Sequence, residues 1–383
     1  GTDYRSWSPW LYFSLRRFER NIEEGEILVN KRINKFQNKL KEEGIEAFLV
    51  TKNENIRYLS QFTGTSARLL ITQNKSIFIT DFRYLDQAAE QCSGFEIEEI
   101  SSNFVEAFAE LLKNKNINNL SFESHDLSYK FYNKLKQKLA VNSLNPQDSM
   151  VEELRVIKDE KEVEKIKKAV EIADKGFDFL VDFIEPGKSE KEVALELEFF
   201  MKRNGGESNA FDFIVASGKR GALPHGVASD KIIKKGELVT IDFGTVYQGY
   251  HSDITRTVAV GEVEQDLKDI YDLVLTAQKK VISKIKAGMS GVEADKIARD
   301  FISEAGYKEN FGHGLGHGIG LEIHESPRLS YSSDDQLKAG MMVTDEPGIY
   351  ISGLGGVRIE DDLLITENGC KVLNSAPKEL IIL

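Results

Sequence analysis

A chain of 383 residues is long enough for two domains and a sizeable core. Its 62 acidic against 50 basic residues leave a formal charge of −12, which argues against nucleic acid as a partner. The two cysteines, Cys92 and Cys370, lie too far apart in sequence to read as a metal-ligand pair and fit a reducing, cytoplasmic setting; no apolar run approaches the roughly 20 residues needed to span a bilayer.

Residues 1–29 read as foreign to the rest of the chain. They hold both tryptophans, an Arg16-Arg17 pair without the long apolar run of a secretory signal, and Glu23-Glu24-Gly25-Glu26. One expectation is that Val29 marks the natural start, the Glu-Glu-Gly stretch being a translated ribosome-binding site. This N-terminal extension is set apart from the fold. Residues 30–150 read as an α/β domain. Ile33, Phe36 and Leu40 share one helical face, and Gly44 stops that helix. Ala47-Phe48-Leu49-Val50 reads as a buried strand. Tyr58-Leu59, Leu69-Leu70-Ile71 and Ile77-Phe78-Ile79 are further strand candidates, and Asp81 opens another helix. No phosphate loop or dinucleotide fingerprint occurs here. His125 and Asp126 read as helix-entry or surface residues. Asn145-Pro146-Gln147-Asp148-Ser149 reads as a linker, so the next domain spans 151–383.

From Asp159 the pattern turns helical, with Val163, Ile166, Val170, Ala173, Phe177 and Leu180 as its apolar stripe and Pro186-Gly187 as its end. Ser189 and Glu192 form a capping box for a second helix that stops at Gly205-Gly206. Strand candidates come next at 211–216 and 238–242, then a helix pair over 267–286 and 292–304. Helix pairs alternating with acid-bearing strands predict a curved sheet backed by helices.

The stretch Val239–Val258 reads as a hairpin turning near Tyr247-Gln248-Gly249. Folded about Tyr247-Gln248, it sets Asp242 opposite Asp253 on one face, where two carboxylates repel unless a cation lies between them. Taken alone, the hairpin favours a solvated pair on an exposed face. The rest of the C-terminal half changes that balance. His313, His317 and His324 fall within twelve residues of a glycine-rich run, and Glu346 and Glu360 each follow an apolar or β-branched approach. Four carboxylates and an imidazole on converging strands form an oxygen-rich site with one nitrogen, suited to two hard or borderline divalent cations. The glycines lack the Gly-Lys-Ser/Thr of a phosphate loop, no His-Glu-x-x-His pair occurs, and no Gly-x-Ser-x-Gly elbow is present.

These motifs carry a resemblance. Ala216-Ser-Gly with Leu223-Pro-His225, Asp242 with Asp253 eleven residues on, His317 with His324, Glu346-Pro-Gly-Ile-Tyr350 and Arg358-Ile-Glu360 together resemble the pita-bread metallopeptidases of the methionine aminopeptidase, aminopeptidase P and prolidase family. Residues 30–150 are similar to the creatinase-type domain of its proline-specific members. The resemblance implies a creatinase-like α/β domain followed by a pita-bread domain with a curved antiparallel sheet backed by helices. It implies a cytoplasmic, homodimeric enzyme acting on proline-containing peptides, an Xaa-Pro aminopeptidase or dipeptidase. Its cofactor would be two divalent ions, manganese first, with cobalt or zinc tolerated.

By the same resemblance Asp242 chelates one ion, His317 and Glu346 bind the other, and Asp253 and Glu360 bridge them. His225, His313 and His324 line the substrate site, supported by Tyr350 and Arg358. In that family pattern the ions would make a water acidic enough to attack the scissile carbonyl, an ion together with His324 would stabilise the oxyanion, and Glu346 would shuttle the proton. The implied catalytic set is His225, His324 and Glu346. Asp345 departs from the family pattern, which has an apolar residue there. Strand alternation turns it away from the metals, so it bears on packing rather than catalysis. A metal-free hydrolase of the creatinase kind and a non-catalytic peptide-binding protein are the alternatives on this fold, and the five-ligand set disfavours both.

Overall fold

A computed structural model describes residues 28–100 and 103–383, which fall into two compact units meeting between Leu154 and Arg155. The expected extension lies outside the described residues except for Leu28 and Val29, which belong to a helix over 28–42. That helix buries Val29, Ile33, Phe36 and Leu40, and Gly44 follows it at φ +67°, a left-handed conformation that glycine adopts without strain. The first unit is built on a six-stranded sheet in the order Glu96–Glu99, Ser76–Thr80, Ala67–Thr72, Ala47–Val50, Asn119–Glu123, Ser143–Gln147. Ala47–Val50 pairs antiparallel on one side and parallel on the other. All four of its residues are buried, as an apolar run covered on both faces requires.

Two expectations for this unit fail. Tyr58-Leu59 is not a strand but part of the helix Asn53–Ser60. Ile56, Leu59 and Ser60 come round to one side at helical spacing, a period that an isolated apolar pair cannot reveal. The expected linker is mostly strand: Ser143–Gln147 runs parallel to Asn119–Glu123 at the sheet edge. Pro146 is tolerated there because an edge strand leaves one row of backbone groups unpaired.

The second unit holds two helix pairs, Glu160–Phe183 with Glu190–Arg203 and Gln265–Lys284 with Gly291–Glu304. Three of these helices open on reciprocal capping boxes, Asp159/Glu162, Ser189/Glu192 and Ser290/Glu293. One sheet places Glu237–Phe243 between Ile254–Val260 and Ile214–Ser217. A second runs in the order Glu325–Leu329, Gly316–Gly318, Met342–Asp345, Asp361–Thr366, Gly369–Val372. Gly348–Ile351 and Gly355–Arg358 form a separate hairpin, and each ladder between these strands is antiparallel. The expected antiparallel sheets backed by helices are therefore present. Val239, Ile241 and Phe243 pack with Phe177, Leu180 and Leu197. Alternation then leaves Thr240 and Asp242 on the opposite face. Val343, Leu363 and Ile365 likewise pack with Val274, Val281 and Ile302, leaving Thr344 and Asp362 facing away from that core.

The hairpin closes one residue later than its sequence suggests. Gln248 and Gly249 both have positive φ, 47° and 78°, the two-residue turn whose twist matches the flanking strands. Tyr247 pairs with Tyr250, and the register carries on so that Asp242 faces Thr255, not Asp253. Moving the turn centre by one residue moves each partner by two. An even slip keeps Asp242 and Asp253 on one face, as diagonal rather than direct neighbours.

Candidate metal centre

Four strand ends and the glycine-rich run deliver the acidic residues and imidazole to one place. Asp242 is the penultimate residue of Glu237–Phe243, Asp253 precedes Ile254–Val260, Glu346 follows Met342–Asp345, and Glu360 lies between Gly355–Arg358 and Asp361–Thr366. His317 is carried by Gly316–Gly318. Asp253, His317 and Glu360 each offer a ligand atom within 4.8 Å of the others. His317 Nε2 stands 3.7 Å from Asp253 Oδ2 and 3.5 Å from Glu346 Oε1. Those distances exceed a hydrogen bond and approach the ~3–3.5 Å between donors that share one ion at bond lengths near 2.1 Å. His317 Nδ1 lies 3.0 Å from the Gly318 carbonyl, which can only accept. The ring proton therefore sits on Nδ1 and the Nε2 lone pair faces the carboxylates. A Cβ at Gly316 would fall 2.2 Å from the Thr344 carbonyl, so only glycine lets this strand approach so closely.

Charge makes the cluster costly as it stands. Burial first, then Glu360 and Asp242, raise the Asp253 carboxyl well above its usual range. Burial, Glu346 and Asp242 do the same to Glu360. Glu346 is raised by burial, against the nearby Arg358. His317 is pushed down to about 4 by burial and by His324, so its imidazole is neutral near pH 7, the form that binds metals. Asp242 Oδ1 and Asp253 Oδ1 are buried without a hydrogen-bond partner. Buried acids that repel one another and leave oxygens unpartnered call for positive charge. Carboxylate oxygens with one imidazole nitrogen fit a hard or borderline divalent ion.

Around this set the structure draws a hydrogen-bonded chain. His313 Nδ1 donates to the Gly314 carbonyl at 2.7 Å, so its Nε2 accepts from the Tyr350 hydroxyl at 2.8 Å. That hydroxyl oxygen accepts from Arg358 Nη1 at 2.8 Å, and Arg358 Nη2 donates to Asp242 Oδ2 at 2.6 Å. The His313 lone pair is thus spent on Tyr350, whereas that of His317 is directed at carboxylates. His324 packs edge-on against His317 with ring centres 4.3 Å apart and is exposed. His225 is exposed on the loop after Gly218–Ala222; burial chiefly, with His225 a minor contributor, lowers the pKa of His313 and His324.

Sequence reasoning missed the residues that hold these groups. Thr255 Oγ1 donates to Glu360 Oε2 at 2.6 Å and accepts from Arg358 Nε at 3.1 Å. Asp362 Oδ2 accepts the Asp253 N–H at 2.9 Å. Thr344 Oγ1 donates to Glu346 Oε1 at 3.2 Å and accepts the His317 N–H at 3.1 Å. Thr255, Asp362 and Thr344 each lie two positions from a candidate ligand, so period-two alternation is the signal that could have found them. Asp345 faces the other way, into the core beside Val343. It is fully buried, and both its oxygens lack a partner.

The model of metallopeptidase family M24 matches residues 164–367, and that of the creatinase/prolidase N-terminal domain matches 32–157. An Xaa-Pro dipeptidase from Pyrococcus horikoshii is 44% identical over 92% of this chain and 99% of its own length. The solved Xaa-Pro dipeptidase from Bacillus anthracis superposes with a TM-score of 0.91 at 49% identity, covering 93% of this chain and all of that one. The X-Pro aminopeptidase from Thermotoga maritima superposes with a TM-score of 0.84 at 40% identity, over 89% of this chain and 98% of that one.

Proposed function

The chain belongs to metallopeptidase family M24, and on that premise we propose that it hydrolyses the peptide bond before proline, in Xaa-Pro dipeptides or at the amino end of longer peptides. One observation carries the reading: Asp253, His317 and Glu360 converge within 4.8 Å while buried carboxylate oxygens stay unpartnered. In this proposal the site takes two divalent ions, manganese before cobalt or zinc. Asp253 and Glu360 would be shared between the ions, Asp242 would hold one, and His317 with Glu346 would hold the other. Residues 30–150 form the accompanying domain and 151–383 the catalytic one. Sparse cysteines fit a reducing cytoplasm, and the expected homodimer is open to analytical ultracentrifugation.

When bound, divalent ions supply positive charge that polarises the scissile carbonyl and brings the pKa of a water towards about 7. The chain's own residues supply the rest. Glu346, held by the Thr344 hydroxyl, takes the proton of the attacking water and passes it to the departing imino nitrogen of proline. His324, exposed beside His317, presents an N–H to the oxyanion. His225 and His313 face the substrate, and Tyr350 with Arg358 fixes the His313 ring through its hydrogen bond to the Tyr350 hydroxyl.

Elemental analysis and steady-state rates on Met-Pro and Met-Ala test the reading. Chelation should abolish activity and manganese should restore it, with Met-Ala nearly untouched. Comparable kcat/KM on the two dipeptides, or full activity in metal-free protein, would overturn it. Rates on Met-Pro against Met-Pro-Gly-Gly decide between dipeptidase and aminopeptidase.

A further inference from the structure

The first unit carries a cleft of about 320 Å³ that the peptidase reading leaves unused, lined among others by Thr51, Ser66, Arg68, Asp126, Ser128 and Phe131. Arg68 enters it from the strand Ala67–Thr72. Its guanidinium carbon lies 4.1 Å from the ring centre of Phe104 and 5.3 Å from that of Phe131. The flat cation is thus held by aromatic contact rather than by an acid. Its Nε is shut off from solvent and has no hydrogen-bond partner. A half-buried guanidinium without a carboxylate is uncommon, because arginine loses much of its hydration there and gains no charge-assisted bond in return.

Asp126 faces the same cleft from the loop ahead of the helix Tyr129–Lys138. The Thr51 hydroxyl donates to its Oδ2 at 2.6 Å and fixes the carboxylate in place. Arg68 loses basicity through burial, and Asp126 restores part of it, so the two charges feel one another. They form no ion pair within 4.0 Å, and the guanidinium lies against the Phe104 and Phe131 rings instead. Opposite charges held apart across a polar cleft leave room for a molecule that carries both.

We propose that this cleft binds a small zwitterion, a free α-amino acid or a dipeptide, with its carboxylate on Arg68 and its ammonium on Asp126. The paired charges select this class. Asp126 repels an inorganic anion that Arg68 alone would attract, and Arg68 repels a simple amine. The inference rests on the cleft and not on the reading of the metal centre.

Isothermal titration calorimetry on the full chain, stripped of metal so that nothing is hydrolysed, provides the test. L-proline and glycyl-L-proline are the probes, and their relative affinities separate free amino acid from dipeptide. At least one should bind saturably, and Arg68→Met and Asp126→Asn should each weaken that binding about tenfold or more. Prolinamide, without the carboxylate, and N-acetylproline, without the ammonium, should bind wild type at least about tenfold more weakly than proline. Asp126 is exposed, so Asp126→Asn keeps the test valid if Arg68→Met fails to fold. No saturable binding of either probe overturns the proposal. So does binding that both variants leave unchanged, or inorganic phosphate binding as tightly as the zwitterions.

Discussion

Glu123 in the first unit and Asp253 in the second are both buried carboxylates, 6% and 4% exposed, and their surroundings treat them in opposite ways. Glu123 Oε2 accepts the N–H groups of Thr51 and Lys52, each at 2.7 Å, and its Oε1 accepts Asn55 Nδ2 at 2.6 Å. Its neighbours are donors, and they tie the start of the helix Asn53–Ser60 to the end of a strand. Asp253 is surrounded by other acids, and its Oδ1 accepts nothing. Where N–H groups converge on an acid, the acid holds the backbone. Where acids converge on one another with oxygens unpartnered, the fold has left a deficit of positive charge that a cation can fill.

The largest effect is expected at Asp253 and Glu360, the two residues proposed to bridge the ions. Asp253→Ala and Glu360→Ala should each lower bound metal and reduce kcat by on the order of 10³ or more, since groups that act as one unit fail together. Metal analysis and steady-state kinetics read both, and a variant with full metal and full activity would refute the bridging assignment. His317 and His324 sharpen the same contrast within the site. His317→Ala should lose metal and activity together. His324→Ala should keep its metal and lose ~10²–10³ in kcat, the usual loss for one oxyanion donor. The reverse pattern would show that the histidine motif is aligned wrongly.

Period-two alternation makes much of this legible in the sequence. Asp242 and Asp253 share a face although the turn lies one residue beyond its expected place, because the resulting slip is even. The motifs single out His317, Glu346 and Glu360 as candidates, and the Ser189/Glu192 capping box marks one helix start. What escapes depends on register and tertiary approach. Thr255 matters because it faces Asp242 across the ladder and reaches Glu360, more than a hundred residues away. Asp126 reads as a surface residue until Arg68, on the strand Ala67–Thr72, is brought to the same cleft. Tyr58-Leu59 is too short for its period to be read.

Glu123 tests the structural side of the comparison through pH. Burial raises its carboxyl to about 7, against the pull of the Lys52 and Thr51 N–H groups and Asn55. In the unfolded chain the same group titrates near 4.3. Between those values the folded state keeps a proton that the unfolded state has lost, so stability falls as pH rises through the window and levels off above about 7. The difference corresponds to about 3 kcal/mol between pH 4 and pH 8. Opening free energies from hydrogen exchange at the Thr51 and Lys52 amides should show this fall in wild type and lose it in Glu123→Gln. An equal slope in both proteins would mean that Glu123 is ionised throughout.

Asp345 yields the smallest effect and asks whether unpartnered oxygens alone mark a site. Like Asp253 it is buried, with no hydrogen bond to either oxygen. Unlike Asp253 it stands on the core face of its strand, beside Val343 and across from Asp361. Asp361 already has its partners: Arg256 Nη2 at 2.8 Å, Gln278 Nε2 at 2.6 Å and Lys378 Nζ at 2.7 Å. Among the described residues no donor bonds to Asp345, and the group of candidate metal ligands found there does not include it. Its deficit is therefore one of packing. Asp345→Val removes two unpartnered oxygens and suits a β-strand. On metal-stripped protein near pH 7 it should raise stability by ~1–3 kcal/mol, read as a higher urea midpoint at unchanged slope. After metal is restored, kcat should stay within a few-fold of wild type, because the substitution lies on the face turned away from Glu346. If instead stability falls, or metal and activity are lost together, Asp345 is part of the charge balance of the centre, and facing the core does not separate a packing acid from a functional one.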